Sequence, residues 1–395
     1  MRNRFVLLSC LSAALAAAAP AQTFTLLHVF HGPDGGDPGS APMVLDTSGT
    51  LYSTTAFGGA SGLGTVYKID VKNNESVLYS FTGGADGEDP FTGVVFGRDG
   101  NLYGTAVNGG TNTVGTVFRV KLPGGVFKTI YEFAGGPGGS EPGALIAGPN
   151  ALYGGAAGGA PYYGGVVYRL DQSGVTDLYK SAGGADGSEP DRLVLDGSGN
   201  LYGVAGGGDL TCNAPFGCGT IFKIDAGGTY SVLHVFVGPD GESPQGVLLD
   251  GAGNLYGTTA SGGTQNAGTV FRLSPTGQLT TLYAFTGSAD GGQPHAGLIR
   301  DSAGNFYGTT LAGGIVNSNC FQGCGVAFQL SPAGSTWKET VLHSFNGTDG
   351  QNPQAPLTLD AKGTTLYGTT SVGGDYSCTT INGGTSCGMV FKITR

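Results

Sequence analysis

The chain has 395 residues, 77 of them glycine, with 12 % charged side chains and a formal net charge of −10. An acidic chain with no basic cluster excludes the concentrated positive patch that nucleic acid or an anionic membrane surface requires. Glycine at this level can signal disorder. Here it is periodic and interleaved with Val, Leu, Phe and Tyr, which suits tight turns between short strands.

The N-terminus reads as an export signal. Arg2 and Arg4 precede an apolar stretch from Phe5 to Ala18, and Ala19-Pro20-Ala21 has the small-x-small cleavage pattern. Cleavage after Ala21 is expected, leaving 16 basic against 28 acidic residues, a net −12. Leu8-Ser9-Cys10 offers a lipoprotein-like alternative with a short apolar stretch before it. No later segment is apolar for long enough to cross a bilayer. The expectation is a secreted, periplasmic or cell-surface monomer, with residues 22–395 forming one domain.

From there the chain repeats. Leu51-Tyr52, Leu102-Tyr103, Leu152-Tyr153, Leu201-Tyr202, Leu255-Tyr256, Phe306-Tyr307 and Leu366-Tyr367 recur at intervals of 51, 50, 49, 54, 51 and 60 residues. Periods of this size mean a solenoid, propeller or array. Each unit reads as four short strands, A to D. In the fifth they are residues 245–250 (QGVLLD), 254–258 (NLYGT), 269–273 (TVFRL) and 279–285 (LTTLYAF). The A-to-B connection, Asp250-Gly-Ala-Gly-Asn254, has hairpin-turn chemistry. Strand A is apolar at consecutive positions, as in Val247-Leu248-Leu249, so both of its faces are expected to be covered. This is the pattern of a propeller blade packed between two neighbours. The mature chain starts with a D-type strand (residues 23–30) and ends with a C-type strand (residues 389–393). The expectation is therefore an all-β, seven-bladed β-propeller with four antiparallel strands per blade. The N-terminal strand pairs with the C-terminal one, which removes the open edges of a linear array.

The units, with LYGTT, Gly-Gly, GTVFRL and then F-x-G-x-x-D-G-x-x-P, resemble the Gloeo/Verruco (GloVer) tandem repeat of exported bacterial proteins, over nearly all of Thr23 to Ile393. The resemblance implies an extracellular propeller-like protein and no assigned reaction. The phasing is also similar to propellers whose repeats read P-x-G-L-x-x-D-x-x-G-N-L-Y. Some of those are lyases or lactonases, which keeps an enzyme reading open.

Six cysteines follow the signal, as Cys212/Cys218, Cys320/Cys324 and Cys378/Cys387, each pair within the B-to-C loop of its unit. Three local disulfides are expected in an exported chain. A zinc site is the alternative, with no His at ligand spacing. The D-to-A loop carries Asp34, Asp86, Asp186, Asp240, Asp290 and Asp349, with Gly138 in the third unit. A second acid precedes the loop proline at Asp37, Asp89, Glu141 and Glu189. One reading is an Asp-Gly turn in which the side chain caps backbone amides. The other is calcium, the single cofactor considered, held by loop oxygens.

The D-to-A and B-to-C loops of such a blade share a face. That face would gather Phe57, Tyr162, Tyr163, Phe216, Phe321 and Tyr376, suited to a sugar or peptide ligand or simply to covering loop bases. Strand D carries Tyr or His at one place (His28, Tyr79, Tyr131, Tyr179, His234, Tyr283, His343), which reads as inter-blade packing with a polar tip. His295 with Arg192 and Arg300 on A strands offers an acid/base and an anion clamp near the axis. A G-x-S-x-G match at Gly384–Gly388 lacks the following helix of a nucleophile elbow. The functional expectation is a non-catalytic binding propeller for a polysaccharide or an extracellular protein, acting through the D-A/B-C loop face. The alternatives are a propeller lyase or lactonase-like hydrolase, and a structural envelope protein.

Overall fold

The computed structural model describes residues 22–158, 164–209, 212, 217–375, 378 and 387–395. These residues form seven antiparallel sheets, each one blade of a ring. Blade one is Val44–Leu45, Leu51–Thr55, Thr65–Ile69 and Glu75–Ser80, in the order A, B, C, D. The other blades repeat that order. In blade three the inner strand is broken into Ser140–Pro142 and Ile146–Ala147. Blade seven is closed by the chain's start: Thr23–Val29 runs antiparallel to Met389–Thr394, from Thr23 opposite Thr394 to Val29 opposite Met389. The two chain ends thus share one sheet, as the repeat phase requires.

The Leu-Tyr and Thr-Val-Phe motifs are the core. Leu51, Leu102, Leu201, Leu255, Phe306 and Leu366 of the B strands are buried, as are the C-strand residues Tyr67, Phe118, Tyr168, Phe222, Phe271, Phe328 and Phe391. Because each sheet packs between two neighbours, B and C strands are buried on both faces. The core is accordingly seven apolar clusters rather than one. At six seams, a phenylalanine at the end of strand D meets the next blade's C-strand aromatic edge to face. These pairs are Phe30–Tyr67, Phe81–Phe118, Phe133–Tyr168, Phe236–Phe271, Phe285–Phe328 and Phe345–Phe391, with centroids 5.1–5.4 Å apart. Between blades three and four the residue is Ser181, buried with its hydroxyl donating to the Gly187 carbonyl.

Strand A departs from the expectation of a long strand apolar on both faces. In blades one, six and seven it pairs over only two residues (Val44–Leu45, Ile299–Arg300, Thr358–Leu359), and those residues are half-buried or exposed. In blades four and five it is longer, Ser188–Leu195 and Glu242–Leu249, and irregular in register. The A-to-B turns are capped as the sequence suggests. Asp250 Oδ1 accepts the backbone N–H groups of Ala252 and Asn254 at 2.9 and 2.8 Å, and the Tyr256 hydroxyl donates to Oδ2 at 3.1 Å.

Candidate functional site at the axial mouth

The D-to-A and B-to-C loops share one face and are tied together. Backbone pairs join Gly36 to Phe57, Glu88 to Asn108, Gly292 to Ala312 and Gln351 to Val372. The local cysteine pairs are all disulfides, with Cα separations of 5.2, 5.2 and 5.8 Å for Cys212–Cys218, Cys320–Cys324 and Cys378–Cys387. Three disulfides point to an extracellular or periplasmic location.

The recurrent loop aspartates meet the Tyr or His of strand D. Tyr79, Tyr179 and Tyr283 donate to Asp86, Asp186 and Asp290 at 2.8–2.9 Å. His28, His234 and His343 lie 2.9, 2.9 and 3.1 Å from Asp34, Asp240 and Asp349. The same carboxylates take loop amides, as from His31 N–H at 2.7 Å and Thr82 N–H at 2.7 Å. This bracket is a turn cap built between a strand and the loop that leaves it. Two positions the sequence treated separately are one unit, and Tyr131, whose loop carries Gly138 at the aspartate position, is the one without an acid. Burial alone would raise the Asp34 carboxyl. Hydrogen bonds from His28 and from backbone amides, with the His28 charge, outweigh it and hold the group below its usual range.

The second acid lies in a different place. Asp37, Asp89, Glu141, Glu189, Ser243, Gln293 and Asn352 each precede a proline with φ between 49° and 57°. That left-handed conformation is costly for a side chain bearing a Cβ. It is held by the backbone. The N–H of each donates to the B-to-C loop of the preceding blade, for example Asp37 to Cys387, Glu189 to Gly164 and Asn352 to Cys324. Their side chains form an inner ring around the axis in which neighbours sense each other. Burial, then the Asp89 charge, pushes the Asp37 carboxyl up to about 7, partly offset by Gln354 Nε2 at 3.5 Å. Burial, then Glu88, raises Asp89 to about 6. Burial and Glu141 raise Glu189. The ring is acidic on blades one to four and neutral on blades five to seven.

Two residues beyond that ring the blades diverge: Gly39, Phe91, Gly143, Asp191, Gln245, His295 and Gln354 are five residue types over seven blades. Arg192 follows Asp191 with φ +51° and donates through Nη1 to the carbonyls of Gln245 (3.2 Å) and His295 (3.1 Å). Its Nε lies 3.7 Å from Asp191 Oδ2, and Asp191 Oδ1 is buried without a hydrogen-bond partner. Burial and the Arg192 charge lower the His295 imidazole below its usual value, favouring the neutral base. Two cavities, of about 300 Å³ and about 250 Å³, both reach Asp191, Arg192 and Gln245. The larger is the axial channel, walled by Val94, Leu145, Leu193, Val247 and Leu298. The smaller opens between blades four and five toward Glu189 and Ser243.

Of the other expected site residues, Arg300 sits at the opposite end of its strand. It lies 3.9 Å from Asp250 and over the Tyr256 and Phe306 rings, away from His295 and Arg192. Phe57 is half-buried in the loop pairing, with its carbonyl accepting from Thr55 Oγ1. Phe321 is 83 % exposed on the blade-six disulfide loop, beside exposed Ile315 and Val316. Tyr162, Tyr163, Phe216 and Tyr376 lie outside the described residues. The inner ring's conformation and the Asp191–Arg192 step were missed from sequence. The signal available was the residue between the loop proline and strand A, which changes from blade to blade while its surroundings repeat.

The fold has counterparts of known structure. A catalytically inactive variant of virginiamycin B lyase from Staphylococcus aureus, solved with quinupristin, superposes with a TM-score of 0.61 at 13 % identity, covering 95 % of this chain and 99 % of that one. A chain of a mitotic checkpoint complex gives 0.56 at 15 % identity, covering 93 % and 96 %. The extracellular domain of a protein described as a hybrid two-component system from B. thetaiotaomicron gives 0.59 at 11 %, covering 89 % of this chain and 39 % of that one. At these identities the likeness is one of fold. No curated protein sequence matches the chain. Residues 16–214, 97–321 and 150–382 each match the Gloeobacter/Verrucomicrobia repeat, and the chain belongs to that family.

Proposed function

We propose that the protein is a binding propeller for an extracellular polysaccharide, which it holds on the D-A/B-C loop face at the axial mouth. The observation that carries this reading is the meeting of two cavities at Asp191, Arg192 and Gln245, the place where an otherwise repeating chain stops repeating. Carboxylate, guanidinium and amide groups at the mouth of an apolar channel suit a sugar, which offers hydroxyls on its edges and C–H groups on its faces. The Asp191 side chain is 40 % exposed beside Arg192, which leaves its carboxylate within reach of a ligand hydroxyl. A screen of the purified protein on a glycan array tests this. A reproducible hit whose affinity falls at least about tenfold in Arg192→Ala supports the axial mouth. A hit unaffected by Arg192→Ala and lost in Phe321→Ala moves the site to the blade-six loop.

A second reading, a lyase or lactonase-like enzyme, is favoured by the neutral His295 imidazole beside Arg192, a base next to an anion-stabilising group. It requires product formation from the bound glycan that stops in His295→Ala while binding persists.

A further inference from the structure

We infer that the protein binds a divalent first-row metal ion, of the zinc type, at the seam where the ring closes, through His28, Asp34 and Glu75. Their ligand atoms all lie within 4.8 Å of one another. His28 is on the N-terminal strand that completes blade seven, Asp34 is in the loop leaving it, and Glu75 opens strand D of blade one. The group is therefore assembled from the outer strands of two blades, apart from the axial mouth.

What sets this seam apart is an imidazole facing a carboxylate at the position four residues before the Tyr or His of strand D. In the ring that position holds Phe24, Glu75, Phe127, Val175, Tyr230, Leu279 and Glu339. Where it is aromatic, it stacks on the preceding blade's Tyr or His. Phe24 lies 3.8 Å from His343, Phe127 lies 3.9 Å from Tyr79 and Tyr230 lies 3.7 Å from Tyr179. At the closing seam a carboxylate takes that place, next to an imidazole already facing Asp34 at 2.9 Å. Glu75 Oε1 is buried and has no hydrogen-bond partner, so the carboxylate has been brought under cover with nothing protein-borne to satisfy it. Asp34 is oriented from behind, because its Oδ1 accepts the His31 amide while Oδ2 faces the imidazole. His28 and Asp34 side chains are 19 % and 21 % exposed, sheltered yet open to an entering ion.

One imidazole nitrogen and two carboxylate oxygens form a three-ligand set that leaves a position for water. Nitrogen and oxygen donors without sulfur suit zinc or manganese. Binding would replace the proton shared by His28 and Asp34 and neutralise the two carboxylates. The seam between blades five and six supplies a natural control. Tyr283, Asp290 and Glu339 occupy the same three positions there, with a phenol in place of the imidazole.

The test is a titration of the metal-free protein with Zn²⁺ in competition with a chromogenic zinc indicator. One equivalent should bind to the wild type, to Glu339→Gln and to His31→Ala. Affinity should fall at least about tenfold in Glu75→Gln and in His28→Gln. No uptake by the wild type, or unchanged affinity in Glu75→Gln, overturns the site. Loss in His31→Ala with retention in Glu75→Gln assigns the ion to exposed His31 and Asp375 and also overturns it. X-ray absorption at the zinc edge of the loaded wild type is independent of any variant. It should show nitrogen and oxygen neighbours only, and a sulfur shell refutes the assignment.

Discussion

Asp34 and Asp37 stand three residues apart in one D-to-A loop, and their environments are opposite. Asp34 belongs to the outer bracket, where a strand side chain and a loop amide bind its carboxylate and keep it ionised. Asp37 belongs to the inner ring, where burial and Asp89 push its carboxyl up to about 7. The contrast extends round the molecule. Outside, the same contacts recur seam after seam and serve the fold. At the inner ends of the A strands the backbone repeats but the side chains do not. Repetition therefore marks what holds the ring together, and its failure marks where a ligand would find something particular.

The largest effect is expected in the outer shell. Phe285 is fully buried against Phe328, and its truncation to alanine removes an aromatic key between blades five and six. A loss of about 3–5 kcal/mol is expected from urea unfolding. Ser181→Ala, at the equivalent place between blades three and four, should cost on the order of 1 kcal/mol, the value of one hydrogen bond. Equal losses at the two positions would refute the idea that the phenylalanines key the seams.

A smaller effect is expected where the two regions meet. Gly155 of strand B in blade three occupies the position of Thr54, Thr105, Thr258 and Thr309. Those hydroxyls bond to the next blade, as Thr258 does to the Ala296 carbonyl at 2.7 Å. At Gly155 a Cβ would stand 1.7 Å from the Pro190 carbonyl oxygen, so the absent side chain is what lets Pro190–Arg192 press against blade three. Gly155→Ala should cost about 1–3 kcal/mol as overpacking. It should also displace Arg192 from the carbonyls of Gln245 and His295, lowering glycan affinity. A stable variant with undiminished affinity would detach the axial mouth from this contact.

Much of the outer shell was legible in the sequence. The Leu-Tyr and Thr-Val-Phe steps are strong β formers flanked by turn glycines, and the phase of Thr23–Val29 against Met389–Thr394 carried ring closure. Strand A was less legible. The left-handed residue before each proline and the bulged registers at Asp191 and Val247 divert it from regular pairing, which Val-Leu runs do not reveal. The axial site was only half visible. His295 and Arg192 were recognisable as residue types, but only the ring's curvature puts them together and sends Arg300 to the far end of its strand.

The inner and outer acids respond to pH in opposite directions. Asp37 and Asp89 have folded-state values raised above those of the unfolded chain, to about 7 and about 6. Between pH 4 and 7 the folded protein therefore retains protons that the unfolded chain has released, so these groups lower stability as pH rises through that window and no further above it. Asp34 and Asp86 are held below their usual value. Hydrogen bonds to Thr82 and Tyr79 outweigh burial at Asp86, and the stability these two contribute is present above pH 4 and lost on further acidification. Asp37→Asn removes one inner term and leaves the outer ones. Relative to wild type it should gain on the order of 1 kcal/mol between pH 5 and pH 8, since over that range the unfolded carboxyl is already ionised while the buried one still titrates near 7. Asp86→Asn should instead lose stability at neutral pH and converge on wild type below pH 4. Parallel profiles for the two variants would mean that the inner and outer acids share one environment, and the division of the loop into a fold-serving and a ligand-facing half would fall.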